Sequence, residues 1–174
     1  SSVASMLPIS EISAKSPRLE EIAIREARAR TWEFKALDFI SQNIDKIIKN
    51  AEKYNLPPEF PAAILYKEKT KESLVSRITD RLVSGVGEFN PSIGDGQIKI
   101  STAAMVDGRD YHKLTKVEYF DYRKKLMDTP SNVEYVAKIL RYMLNRPNRY
   151  PNITSQELVN NPKAMALAAT EFNL

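Results

Sequence analysis

The stretch from Asn90 to Thr102 reads NPSIGDGQIKIST, and it interrupts a chain that is otherwise helical in pattern. The chain has only five glycines, and four of them fall between Val83 and Gln97. Glycine permits a tight turn and a close backbone approach, because it tolerates positive φ and has no side chain. The glutamine that follows offers an amide donor and an acceptor. The segment therefore predicts a tight turn that presents Gln97, either as a plain hairpin turn or as part of a binding site.

Helical patterns flank this segment on both sides. Residues 18–54 contain neither Gly nor Pro, and their apolar residues recur at three- and four-residue steps, which predicts one long helix or two abutting helices. After NLPPEF, a proline in the first turn predicts a helix through PAAILYKEKTKE. Asn161 and Pro162 predict the start of the last helix. Three Ser/Thr–Glu pairs predict capping boxes at helix starts, namely Thr115–Glu118, Ser131–Glu134 and Thr154–Glu157.

The fold class predicted from these patterns is mainly α. A small β-hairpin or irregular glycine-rich element lies near residues 83–101, where Gln97 to Ser101 alternate polar and apolar residues. The length of 174 residues suits a single domain with its own core.

Composition excludes several kinds of chemistry. The chain has no cysteine, which excludes disulfides, thiolate zinc sites and a cysteine nucleophile. Its single histidine, His112, lies in a polar stretch typical of a surface loop, although a Ser-His-Asp triad would have to use it. Hydrolytic chemistry would therefore rest on carboxylates, and we expect no metal and no cofactor.

The net charge of +4 and the pI of about 9.2 suit an anionic partner such as nucleic acid, anionic lipid or bacterial cell wall. The basic residues are scattered, as on an ordinary solvated surface, so the sequence does not favour a nucleic-acid-binding module. It contains no apolar run of membrane-spanning length and no signal-peptide layout. Since residue 1 is serine, we expect a fragment of a larger protein.

Glu68 is the carboxylate with the most informative position. It follows Ile64 by four residues and Leu65 by three, so it shares their inward face of the predicted helix. Partial burial would raise the pKa of Glu68, and a protonated carboxyl can act as the general acid in glycoside cleavage. The plainer alternative is a surface glutamate paired with a neighbouring lysine. The neighbours are Lys67, Lys69 and Lys71.

Four segments occur in the order found in the lysozyme superfamily. AAILYKE (62–68) resembles the Ala-x-Ile-x-x-Glu helix of that superfamily. PSIGDGQIKIST (91–102) resembles its Ser-x-x-Gly-x-x-Gln-Ile/Leu motif, with Ser92 in place and the glycines at different positions. SNVEYVAKILRYML (131–144) resembles the Asn-Ile/Val helix, and ALAATEFN (166–173) resembles the closing Ala-x-Ala-Tyr-Asn motif. The chain is thus similar to the goose-type lysozyme and lytic transglycosylase group, which cleaves the glycan strand of peptidoglycan.

This resemblance implies that Glu68 protonates the oxygen between N-acetylmuramic acid and N-acetylglucosamine. GVGEFN (85–90) resembles the goose-type Gly-x-Gly-acid element and places Glu88 at the acidic position, while Asp80 falls where another goose-type acid falls. Two such acids favour hydrolysis, as in a lysozyme, with one of them directing the attacking water. A lytic transglycosylase, which needs no second carboxylate and leaves 1,6-anhydro ends, is the alternative. Asp80 could instead pair with a neighbouring arginine, and Glu88 could lie on a solvated loop.

The resemblance also implies a set of substrate-binding residues. They are Gln97, Ile98, Ser92, Tyr135 and Asn173. Tyr135 is equally compatible with a sugar-stacking role and a core role, and we predict that Tyr142, one heptad later, is a core residue. Three positions depart from the family pattern, since Lys69 replaces a serine, Gly96 a methionine and Phe172 a tyrosine.

The resulting domain hypothesis has a flexible segment (1–17), an N-terminal helical segment (18–54) and a lysozyme-like catalytic domain (55–174). The expected partner is the peptidoglycan glycan strand, reached in the bacterial periplasm or cell wall by a cell-wall lysin of phage origin or an antibacterial toxin domain. A cognate inhibitor or immunity protein is compatible with this hypothesis. The rival of another class is a non-catalytic glycan-binding scaffold.

Overall fold

The structure, a computed structural model, describes residues 17–71, 90 and 92–172. These residues form eight α-helices, one 3-10 helix and two short strands. In chain order the elements are α1 (Pro17–Gln42), α2 (Ile44–Lys53), α3 (Glu59–Lys71), β1 (Ser92–Ile93), β2 (Ile98–Lys99), α4 (Ile100–Val106), the 3-10 helix (Tyr111–Lys113), α5 (Lys116–Met127), α6 (Thr129–Leu144), α7 (Ser155–Val159) and α8 (Pro162–Phe172). The predicted mainly α fold, with a small hairpin and a long N-terminal helix, is confirmed.

The N-terminal helical segment consists of two abutting helices. Helix α1 ends one residue before Asn43, and α2 begins one residue after it. Helix α1 packs mainly against α3, whereas α2 packs against α6. Ile47 and Ala51 of α2 are fully buried in the same hydrophobic core as α3 and α6. The hydrophobic core therefore contains residues from both sides of residue 55, where the domain hypothesis places the start of the catalytic domain.

Helix α6 is the centre of the fold. It packs against α2, α3, α4, α5 and α8, and also contacts β2. Because neighbours surround it, apolar residues cover more than one of its faces. Its buried apolar residues are Val133, Val136, Ala137, Ile139, Leu140, Met143 and Leu144.

Two of the three predicted caps are present. Thr115 and Glu118 form a reciprocal capping box at the start of α5. Thr154 caps α7, where its hydroxyl oxygen accepts a hydrogen bond from the backbone N–H of Glu157 at 3.1 Å. These local patterns specify helix starts because cap and recipient lie within one turn.

The cap predicted at Ser131 is wrong. Helix α6 begins earlier, and Asp128 caps it by accepting a hydrogen bond from the backbone N–H of Ser131 at 3.2 Å. The Glu134 carboxylate instead accepts hydrogen bonds from Lys53 at 2.6 Å and from the Tyr54 hydroxyl at 3.1 Å. A long-range contact with the end of α2 thus takes the side chain that the local pattern assigns to a cap.

The glycine segment folds as a two-stranded antiparallel hairpin. Ser92 pairs with Lys99 and Ile93 pairs with Ile98, which leaves residues 94–97 as the turn. Helix α4 follows β2 directly. Two hydrogen bonds join the first turn of α4 to Asn90, which precedes β1. The Asn90 side chain accepts from the Ser101 backbone N–H and donates to the Ser101 hydroxyl.

Asn132, in the first turn of α6, attaches this hairpin to the core. Its side chain is completely buried. Its Oδ1 accepts from the backbone N–H of Gly96 at 2.8 Å. Its Nδ2 donates to the carbonyls of Ile93 at 3.1 Å and Leu126 at 2.8 Å. One amide therefore holds together the hairpin, the end of α5 and the start of α6.

The last helix is anchored by a buried carboxylate. Glu171 of α8 accepts a hydrogen bond from Arg149 Nε at 2.5 Å, and Arg146 lies 3.6 Å from its other oxygen. Among the described helices, none has both the length and the apolar character that a membrane span requires.

We expect Asn132→Ala to lower the free energy of unfolding by about 3 kcal/mol, because buried backbone groups lose their partners. Urea unfolding followed by circular dichroism measures this change. Asn50→Ala is the matched control, since the Asn50 amide donates to the Lys46 carbonyl, a local contact within its own helix. Equal unfolding midpoints for the two variants would contradict the role of Asn132.

Candidate active site

Glu68 lies on the inward face of α3, as its spacing predicts. It is only 6% exposed, beside the buried Ile64 and Leu65. Within the part of the chain that the structure describes, no hydrogen-bond donor contacts its buried Oε1. The alternative of a glutamate at the surface is therefore wrong.

Burial raises the pKa of Glu68 above its ordinary value. The positive charges of Lys71 and Lys67 act in the opposite direction without cancelling this effect. Because desolvation disfavours the charged form, the carboxyl keeps its proton to a higher pH than an exposed glutamate. A carboxyl of this kind can donate a proton to an oxygen leaving group.

The helix of Glu68 is joined to the glycine turn by an ion pair. Lys69, the next residue in α3, places its Nζ 2.5 Å from Asp95 Oδ1 and 4.5 Å from the centre of the Phe39 ring. The other oxygen of Asp95 accepts from the Thr129 hydroxyl at 2.8 Å. Asp95 thus connects α3, the turn and the start of α6. Lys69 therefore has a structural partner in the turn itself.

The glycines of the turn are required by close packing. A Cβ on Gly94 would lie 2.0 Å from the Leu126 carbonyl oxygen, and its φ of +72° already favours glycine. A Cβ on Gly96 would lie 2.5 Å from the Val136 side chain. The turn can therefore approach α6 only because both positions lack a side chain.

Gln97 ends the turn in a conformation that is uncommon for a non-glycine residue. Its φ is +49°, and its side-chain Nε2 donates to the Gly94 carbonyl at 2.8 Å. Residues held in such backbone conformations concentrate at functional sites, where surrounding contacts hold them in place. Nearby, Ser92 is half-buried in β1, and Ile98 is buried in the hydrophobic core.

Tyr135 belongs to a polar network around Asp107, the residue that caps the end of α4. The Asp107 carboxylate accepts hydrogen bonds from Tyr135 at 2.6 Å, from Tyr122 at 2.9 Å and from Lys138. Burial acts to raise the pKa of Asp107, but these hydrogen bonds outweigh it and the pKa is lowered. The described hydrogen bonds of Tyr135 thus run to the end of α4 and not to Gln97. Tyr142, predicted to be a core residue, is 38% exposed, and this prediction is wrong.

Three site residues lie outside the described residues, namely Glu88, Asp80 and Asn173. Their roles stay predictions. In the described ranges, no three His, Asp or Glu side chains group closely enough to hold a metal ion.

Several residues that shape the site were not predicted individually. The sequence places Asn132 only in a helix motif and Asp95 only in a turn. No sequence pattern points to Asp107 or Thr129, because their hydrogen-bond partners are distant in the chain. The position of Asn132 on the apolar face of its helix, four residues before Val136 and seven before Ile139, is the one sequence feature that points to it, since buried amides need partners.

No protein-family model, curated protein or solved structure matches this chain.

We expect Gly94→Ala to destabilise the protein by about 3 kcal/mol or more, because backbone strain and steric overlap combine. Gly108→Ala is the matched control. Gly108 has a similar φ of +74°, but a Cβ there meets nothing within 4 Å. We expect it to cost only about 1 kcal/mol, from strain alone. Equal losses in thermal or urea unfolding would show that steric overlap with Leu126 contributes nothing.

Glu68→Gln should stabilise the protein at neutral pH. The folded-state pKa of Glu68 is raised, so its contribution to stability is fully present below the unfolded-state pKa and is lost as pH rises through the folded-state pKa. Glutamine removes this loss. Urea unfolding should therefore show a gain for the variant at about pH 7 that shrinks towards about pH 3, where an ordinary glutamate is protonated. A gain independent of pH would contradict the buried-acid assignment.

Proposed function

We propose that this protein cleaves the glycan strand of peptidoglycan, with Glu68 as the general acid. The bond attacked is the β-1,4 linkage between N-acetylmuramic acid and N-acetylglucosamine. The observation that carries the proposal is the buried, raised-pKa carboxyl of Glu68, whose Oε1 has no hydrogen-bond donor among the described residues. Carboxyl groups whose pKa is raised by burial are candidates for catalytic acids.

The ion pair between Lys69 and Asp95 supports a shared site for Glu68 and the glycine turn. It couples the residue after the acid to the turn that carries Gln97. A turn without side chains at Gly94 and Gly96 brings backbone groups close to neighbouring atoms. The Gln97 amide is suited to hydroxyl and acetamido groups of a sugar.

The order of steps follows from the chemistry of the acid. Glu68 would donate its proton to the glycosidic oxygen as the bond breaks, and an oxocarbenium-like sugar would form. In a hydrolase, Glu88 or Asp80 would orient or deprotonate the attacking water. In a lytic transglycosylase, the sugar's own groups would close a 1,6-anhydro ring. Hydrolysis is the form that we propose, because both acids occur at goose-type positions.

The implied place of action is the bacterial periplasm or cell wall, where peptidoglycan lies. A cell-wall lysin and an antibacterial toxin domain both fit this activity, and a cognate inhibitor would be a partner of the second. The basic net charge of +4 suits the anionic wall.

The test is incubation of purified peptidoglycan with the protein, followed by mass spectrometry of the released ends. We expect Glu68→Gln to lower release by about 10²–10⁴-fold, because the amide cannot donate the proton. Glu52→Gln is the matched control, since Glu52 is exposed on α2. It should release fragments at the wild-type rate.

The chemical nature of the ends separates the mechanisms. Reducing ends from the wild type establish hydrolysis, and 1,6-anhydro ends establish a lytic transglycosylase. Release that is equal for wild type and Glu68→Gln removes Glu68 as the acid. If neither protein releases fragments, yet both bind peptidoglycan, the non-catalytic scaffold replaces the enzyme.

A further inference from the structure

An open depression of about 470 Å³ lies between the 3-10 helix and the first turns of α5. It is lined by Tyr111, His112, Leu114, Thr115, Lys116, Tyr119 and Phe120. Neither Glu68 nor Gln97 lines it. It begins beyond the far end of α4, and the seven residues of that helix separate it from the turn by roughly 10 Å of helix rise.

Two edge-to-face aromatic pairs form its walls. The Tyr111 and His112 rings lie 5.4 Å apart at 69°, and the Tyr119 and Phe120 rings lie 5.6 Å apart at 86°. Tyr111 and Tyr119 pack partly against the core, whereas Phe120 is 57% exposed. Such pairing orients the rings while leaving aromatic surface open to a ligand.

Hydrogen bonds and an ion pair hold the backbone beneath these rings. Glu118 bonds to Thr115 in the capping box and is paired with Arg109. The Asp110 carboxylate accepts from the backbone N–H of His112 at 3.0 Å. The depression is therefore formed before any ligand arrives, which lowers the entropic cost of binding.

We propose that this depression is a second binding site for N-acetylated hexosamine rings of a glycan strand, apart from the site of Glu68. A pyranose ring has an apolar C–H face and a polar edge. The aromatic rings can bury the apolar face, while the Lys116 ammonium meets the polar edge. Exposed Lys113 and Lys116 also favour the carboxylate of a muramic acid ring.

This proposal rests on the proposed function for the identity of the glycan. A strand held both at the Gln97 turn and at the depression would gain affinity, because the second contact forms intramolecularly. Long strands should therefore bind more tightly than short ones.

The test uses the full chain carrying Glu68→Gln, so that binding is measured without cleavage. The probe is a hexamer of N-acetylglucosamine. Its binding is measured by calorimetry and by NMR of the aromatic ring signals. We expect Phe120→Ala to weaken hexamer binding about tenfold. Val117→Ala is the matched control, since Val117 is 71% exposed on the same helix and does not line the depression.

Weakened binding for Phe120→Ala alone, with shifts of the Tyr119 and Phe120 ring signals, supports the second site. Unchanged affinity in both variants overturns the second site, and so do ring signals that do not shift. Either result would be found if the depression binds a protein side chain instead of a sugar. The readout is independent of catalysis, so the enzyme proposal can fail in the release experiment while this site stands. Conversely, a catalytic Glu68 can stand if the depression binds no sugar.

Discussion

The buried amide of Asn132 is the interaction on which the rest of the site depends. It satisfies one N–H and two carbonyls drawn from the turn, β1 and the end of α5. These groups would otherwise be buried without partners, at a cost of about 1–3 kcal/mol each. The contact is possible only because Gly94 and Gly96 leave room for it. The central helix α6 thereby fixes the position of the turn, and the turn fixes the position of Gln97.

A second constraint is the burial of Glu68. A carboxyl placed on the apolar face of α3 loses hydration, so its charged form is disfavoured and its pKa is raised. Carboxyl groups with a pKa perturbed by burial cluster at functional sites. Lys69 and Asp95 add a link between this helix and the turn, so that the acid and Gln97 are carried by elements that contact each other.

Helix α4 connects two regions with different chemistry. At its start are the hairpin and Gln97, and at its end are Asp107 and the aromatic depression. The Asp107 network fastens that end to α5 and α6 through Tyr122, Tyr135 and Lys138. Packed helices would therefore hold two glycan contacts, one at each end of α4, at a fixed separation. Rigid scaffolds present binding residues in this way.

The sequence by itself determined the helices other than α4, two of the caps, the turn and the inward position of Glu68, because periodicity, caps and glycines act within a few residues. Helix α4 begins at Ile100, where the alternation of Gln97 to Ser101 predicts a strand. It failed for Ser131, whose predicted partner Glu134 bonds instead to Lys53, 81 positions earlier. It also misplaced Tyr142, since a heptad stripe does not show which face a neighbouring helix covers. Only the tertiary structure decided the partners of Asn132, Asp95 and Asp107. These partners lie 15 to 39 positions away or are backbone groups common to every residue, so no local pattern distinguishes them.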